Sequence, residues 1–167
     1  MYIPFDQMPP SARIWVYQAD KYLTLQEQEA IITLSSQFLE NWTAHKKSLQ
    51  ASAKFLYNHF LVIAVDESFQ EVSGCSIDSQ TNFIKHLEQE YQINLLNRSN
   101  VAFYEKNDLL IIPFHQIAEA VSNHAIKPET LVFNNTISKK YELENNWLVP
   151  SQETWLKKYF SETLTKK

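Results

Sequence analysis

Glycine and cysteine are nearly missing from this chain, with one of each, Gly74 and Cys75, in 167 residues. A Walker A loop, a dinucleotide-binding fingerprint, a disulfide framework and a cysteine-rich zinc knuckle each need several such residues, so all four are excluded. Arginine is almost as scarce. Only Arg13 and Arg98 are available to fork onto phosphates or guanine edges, and the net charge is −4, so nucleic acid is a disfavoured partner. No apolar run approaches the ~18 residues of a membrane span, which argues against a membrane partner. The opening MYIPFDQMPPSARIW lacks the basic stretch followed by an apolar one that marks a secretory signal. A cytoplasmic protein is expected, in keeping with its lone cysteine.

What is present is apolar and aromatic. A composition of 44% hydrophobic, 13% aromatic and 20% charged residues excludes an intrinsically disordered chain. The length suits a single domain, 1–167, that buries roughly two-thirds of its unfolded surface. Residues 1–12, with Pro4, Pro9 and Pro10, read as an extended N-terminal arm, and 145–167 as a C-terminal helix packing on the core. Charge is uneven: residues 1–83 carry nine acidic and five basic groups, residues 84–167 ten of each.

Residues 13–18, RIWVYQ, alternate as a strand does. Thr24 and Glu27 have the spacing of a capping box, and Ile31, Leu34, Phe38 and Trp42 follow at steps of three and four, which predicts a helix to about His45. Two runs, 52–57 and 60–65, flank Asn58-His59 and predict a hairpin whose second strand is central because it is apolar throughout. A second helix carries Phe83, Ile84, Leu87 and Tyr91 on one face. Strands at 101–105 and 109–112 flank Lys106-Asn107-Asp108 as another hairpin. A helix around 115–123 and a strand at 131–133, with a partner at 141–143, come next. A last helix begins after Pro150, with Ser151 as cap and Trp155, Leu156, Tyr159 and Phe160 on its buried side. The order of the first six elements matches an α+β, ferredoxin-like split βαββαβ antiparallel sheet with helices on one face, here with a C-terminal strand and helix extension. Its other face would be covered by the third helix and the tail, or by a second subunit in a homodimer.

The segments IPFDQMPPSARIWVYQADKYL, the Trp42 and His45 pair, FLVIAVDES, SGCSIDS and LLNRSNVAF resemble, across nearly the whole chain, a family of short bacterial cytoplasmic proteins often labelled ABC-transporter ATPase. The resemblance implies one cytoplasmic domain of conserved length and transfers no catalytic residue. The label itself conflicts with the residues. A chain with one glycine contains neither GxxxxGK[ST] nor an LSGGQ-type signature, so nucleotide hydrolysis is not expected.

The segment SGCSIDS at 73–79 is the best candidate site, because a helix N-terminus presents unpaired N–H groups and a positive dipole end. Gly74, Cys75, Ser76, Asp78 and Ser79 would suit a small anion. The plainer reading makes Ser76 or Asp78 a helix cap, with Gly74 serving the turn, and Asp78 would compete with any anion. Cys75 is a candidate nucleophile, since a helix start stabilises a thiolate, with His45, His59 or His86 as a base; the plainer reading is a small buried hydrophobe. Asp66 and Glu67 end a strand and could join Asp78 as acid-base or metal-binding carboxylates, although adjacent strand residues point to opposite faces. The five histidines form no HxH, HExxH or HxxxH pair, and no metal or cofactor is expected. Trp15, Tyr17, Trp42, Trp147, Trp155, Tyr159 and Phe160 exceed what one small core needs, and some could line a pocket or a dimer surface. The expectation is a non-enzymatic module that binds a small anion or dimerises. Its alternative is a small cytosolic enzyme working through Cys75 or through Asp66, Glu67 and Asp78.

Overall fold

The computed structural model describes residues 1–165, with side chains described through Ser161. The single core expected from length is divided between two units, Met1–Asn97 with Ser138–Tyr141, and Arg98–Ile137 with Glu142 onward. Both combine antiparallel sheets with helices, an α+β arrangement.

In the first unit β1 (Arg13–Gln18) is followed by α1 (Leu25–Glu40), a short hairpin of β2 (Thr43–Ala44) and β3 (Lys47–Ser48), a longer hairpin of β4 (Gln50–Leu56) and β5 (Phe60–Asp66), and α2 (Gly74–Tyr91). The sheet order is β1-β5-β4, all antiparallel. Every residue of β5 is buried, which explains why its sequence does not alternate: a central strand covered on both faces has no solvent side. Leu61, Ile63 and Val65 point with Tyr17, Ala51 and Ala53 into a core shared with Ile31 and Leu39 of α1 and Ile84 and Leu87 of α2. Phe38 and Phe83 stack across the two helices with ring centres 4.5 Å apart.

α1 begins as its spacing predicts. Thr24 accepts from the Glu27 N–H at 3.1 Å, and the Glu27 carboxylate accepts from the Thr24 N–H at 3.2 Å. The helix stops at Glu40, earlier than expected. Trp42 lies outside it, and His45 and Lys46, both at positive φ, close the small β2–β3 hairpin instead. The N-terminal stretch read as an extended arm contains a 3-10 turn, Phe5–Gln7, and lies along β4, with the Ile3 N–H bonding Ala51 and the Ala51 N–H bonding Met1.

In the second unit β6 (Asn100–Glu105) and β7 (Asp108–Pro113) form the expected hairpin. They are followed by α3 (Ile117–Ser122), β8 (Leu131–Phe133), α4 (Glu142–Asn145), β9 (Leu148–Pro150) and α5 (Lys157–Thr165), and the sheet order is β7-β6-β8-β9. This corrects the expected sheet. The sixth element, β6, is not the fourth strand beside β1, because both its edges are filled, one by β7 across a two-residue turn and the other by β8. The outer edge of β1 instead meets residues 138–140, through an Arg13–Lys139 bridge and the Ile14 N–H bonding Ser138. Two further expectations are corrected. The partner of β8 is β9 rather than 141–143, which runs into α4. Ser151 caps no helix; it starts a 3-10 turn and its hydroxyl donates to the Thr130 carbonyl, while α5 begins six residues later, just after the buried Leu156, and buries Phe160.

Thr24→Ala should destabilise the fold by about 1 kcal/mol in chemical denaturation, the usual loss for an N-cap. Hydrogen bonds from Thr24, the backbone one foremost, hold the Glu27 carboxyl below its ordinary range. A depressed carboxyl contributes stability that is complete above its unfolded value and lost as pH falls through its folded one. Glu27→Gln should therefore lower the melting temperature slightly at neutral pH and leave it little changed in acid, which flattens the acid limb of the profile.

Candidate functional site

Between β5 and α2 the chain makes a turn whose polar groups mostly hold one another. Asp66 is 8% exposed, and its Oδ1 accepts from the Ser68 N–H at 3.0 Å and the Ser68 hydroxyl at 2.6 Å. Glu67 accepts from the Val72 N–H at 3.1 Å with one oxygen, and its other oxygen lies 3.7 Å from Arg13, whose guanidinium sits 4.7 Å from the Trp15 ring centre. The two carboxylates therefore brace the loop, as backbone acceptors that shape a tight turn do.

The cap of α2 is Ser73, three residues before the earlier of the two expected. Its hydroxyl accepts from the Ser76 N–H at 3.1 Å, and the Ser73 N–H donates to the Ser76 hydroxyl at 3.2 Å, a capping box built from two serines. Ser76 goes further. Its hydroxyl donates to the Thr43 carbonyl at 2.7 Å and its carbonyl accepts from the Trp42 indole at 2.9 Å, so this buried residue ties the helix start to the β2–β3 hairpin. Trp42 and Thr43 were missed as partners because the apolar spacing carried α1 through them.

Of the remaining candidates, Cys75, Asp78 and Ser79 are exposed and lie at helical spacings that place them on one face, away from Ser76. Gly74 is exposed too, has no positive φ, and a Cβ built there would meet nothing within 4 Å. Neither the turn nor a close backbone approach requires glycine at this position. The helix start leaves the N–H groups of Gly74 and Cys75 without an acceptor among the described residues, since Ser76 and Ile77 bond back to Ser73. Asp66, Glu67 and Asp78 do not come together: among the described residues no group of three His, Cys, Asp or Glu side chains is placed to hold a metal ion.

Below this helix start, Gln80 is 1% exposed; its amide nitrogen donates to the Tyr17 hydroxyl and its carbonyl oxygen has no partner. Its place on the buried stripe of Ser76, Gln80, Ile84 and Leu87 was legible as a four-residue step. The aromatic excess also sorts itself. Tyr17, Trp42, Trp147 and Phe160 are core residues, Trp15 and Tyr159 are half-buried, and Trp155 is 45% exposed beside Phe114. No helix among the described residues is long and apolar enough to cross a membrane. Compared with protein-family models, with curated proteins and with solved structures, the chain matches none.

Ser76→Ala removes one buried hydroxyl and leaves the Thr43 carbonyl and the Ser73 N–H unpaired, so a loss of about 1–3 kcal/mol is expected. Gly74→Ala should cost nothing and gain up to about 0.5 kcal/mol, because open space surrounds the site and alanine restricts the unfolded chain. Urea titrations of the two variants check both values.

Proposed function

We propose that this protein works by binding rather than by catalysis, as a non-enzymatic module that takes a small anion at the start of α2 or pairs with a second copy of itself. One observation carries the reading. Asp66, Glu67, Ser73 and Ser76 are engaged in bonds that shape the turn, whereas the Gly74 and Cys75 N–H groups stand exposed at the positive end of an 18-residue helix. Asp78, one turn along the same face, sets a limit on affinity by offering its own carboxylate to that dipole. The β1-β5-β4 order, with α1 between β1 and β4 and α2 after β5, supports reading the first unit as five elements of a ferredoxin-like design. The lone cysteine supports a cytoplasmic setting. The family resemblance adds no residue role.

Titration of the labelled protein with inorganic phosphate, followed by amide NMR, tests the anion reading. Saturable shifts of the Gly74 and Cys75 amides are expected, with tighter binding in Asp78→Asn. Shifts that stay linear to tens of millimolar phosphate would remove it. The exposed thiol of Cys75 at a helix start is what the enzymatic alternative rests on. An alkylation profile with its midpoint well below the ordinary thiol value of about 8.5 would mark an activated nucleophile and favour that alternative.

A further inference from the structure

We propose that the outer edge of β7 is the surface through which a second copy pairs, strand against strand, about a two-fold axis at Ile111. This deepens the dimerising half of the reading above and rests on it. β7 is the last strand of the order β7-β6-β8-β9, and β6 is the one element it packs broadly against among the described residues. Its sequence, DLLIIP, places four apolar residues in succession at an open edge, with Leu110 40% exposed and Leu109 and Ile111 half-buried. Exposed apolar edges of this kind invite a further strand.

The register says which backbone groups face outward. Glu105 and Asp108 flank the two-residue turn of Lys106 and Asn107, both at positive φ, and so form a hydrogen-bonded pair. By alternation Asp108, Leu110 and Ile112 bond β6, while Leu109, Ile111 and Pro113 turn their backbone groups away from it. The Leu109 N–H is taken by the Asp108 carboxylate at 2.8 Å, as an outward-facing group can be, and Pro113 has no N–H. The Ile111 N–H is therefore the one uncommitted outward donor of the strand among the described residues, and it stands midway along the apolar run.

Those groups are complementary to a second copy of themselves. With the axis at Ile111, that residue exchanges two bonds with Ile111 of the partner subunit. Leu109 falls opposite Pro113 of the partner subunit, whose carbonyl can accept the Leu109 N–H once Asp108 releases it. Every opposed pair from Leu109 to Pro113 is apolar. Asp108 falls opposite Phe114 of the partner subunit, so antiparallel pairing sets the two Asp108 carboxylates at opposite ends of the seam, whereas parallel pairing would stack Asp108 on its own copy. Asp108 thus acts as a latch that competes with the dimer for the Leu109 N–H.

Sedimentation equilibrium of the full chain from micromolar to millimolar concentration tests this. The wild type should self-associate weakly to a dimer, and Asp108→Ala should pair at least about tenfold more tightly, since each copy gains a freed donor. Ile111→Pro should be monomeric throughout with unchanged circular dichroism, because proline is tolerated where an edge N–H faces solvent. If that variant fails to fold, Leu110→Lys at the exposed position serves the same purpose and should also be monomeric. Wild type and Asp108→Ala both remaining monomeric at millimolar concentration would overturn the proposal. So would a dimer that survives the blocking variants, or a monomer that binds a synthetic peptide of residues 107–114 without pairing with itself. The phosphate titration reads Gly74 and Cys75, so either half of the functional reading can fail alone.

Discussion

The first unit is organised by β5, a strand whose seven residues are all buried and whose backbone is paired on both sides. Burying such a strand removes its amides from water, so each must bond to a neighbour, and β1 and β4 are what satisfy them. Everything that positions the candidate site follows from that requirement. The register sets where β5 ends, Asp66 and Glu67 turn the chain there, and α2 starts where Ser73 can cap it while its apolar stripe, with Ile84 and Leu87, reaches the same core as Leu61, Ile63 and Val65. The helix start is in turn fastened through Ser76 to Thr43 and Trp42, which makes the short β2–β3 hairpin part of the site's support.

A chain with one glycine still has to turn. It does so by placing other residues in the left-handed region: His45 and Lys46, Tyr57 and Asn58, Lys106 and Asn107 at hairpins, Gln92 behind α2, and His124. Each non-glycine residue held there costs roughly 1 kcal/mol against glycine, although asparagine tolerates it better. The one glycine present is not at such a place; Gly74 has ordinary dihedral space and open surroundings. Turn formation here is imposed by strand pairing and core burial on both sides of each loop, rather than invited by the loop residues.

The polar groups divide according to how their backbone neighbours are satisfied. Where the chain leaves β5 the amides of Ser68 and Val72 have no ladder partner, and Asp66 and Glu67 supply one. Where α2 begins, the serine pair satisfies the cap and the third helical amide but leaves the first two without an acceptor among the described residues. At β7 the same shortage is met at Leu109 by Asp108, while Ile111 is left. A side chain that completes a backbone bond is no longer free for other partners, and an amide left without one keeps its donor open. Unmet backbone donors, rather than free carboxylates, are what the start of α2 and the edge of β7 leave open.

Local features were legible in the sequence for local reasons. The Thr24–Glu27 box, the two long hairpins, the central character of 60–65 and the apolar stripes of α1 and α2 depend on residues a few positions apart, so spacing alone determines them. The end of α1 did not, because Trp42 fits the helical period yet is drawn out of it by its bond to Ser76, 34 residues away. The choice of Ser73 over Ser76 as the cap of α2 was hidden for a similar reason, since the Ser76 hydroxyl is claimed by Thr43. Sheet membership was hidden most of all. By itself the sequence determined an α+β chain, the order of its main helices and strands and the turns of its two long hairpins, because periodicity and capping act within a few residues. The tertiary structure alone decided that β6 would join β7 and β8 instead of β1, that Ser76 would lock the helix start, and which two amides and which strand edge would stay open. Those outcomes depend on which distant backbone groups meet, and a strand has only two edges to fill.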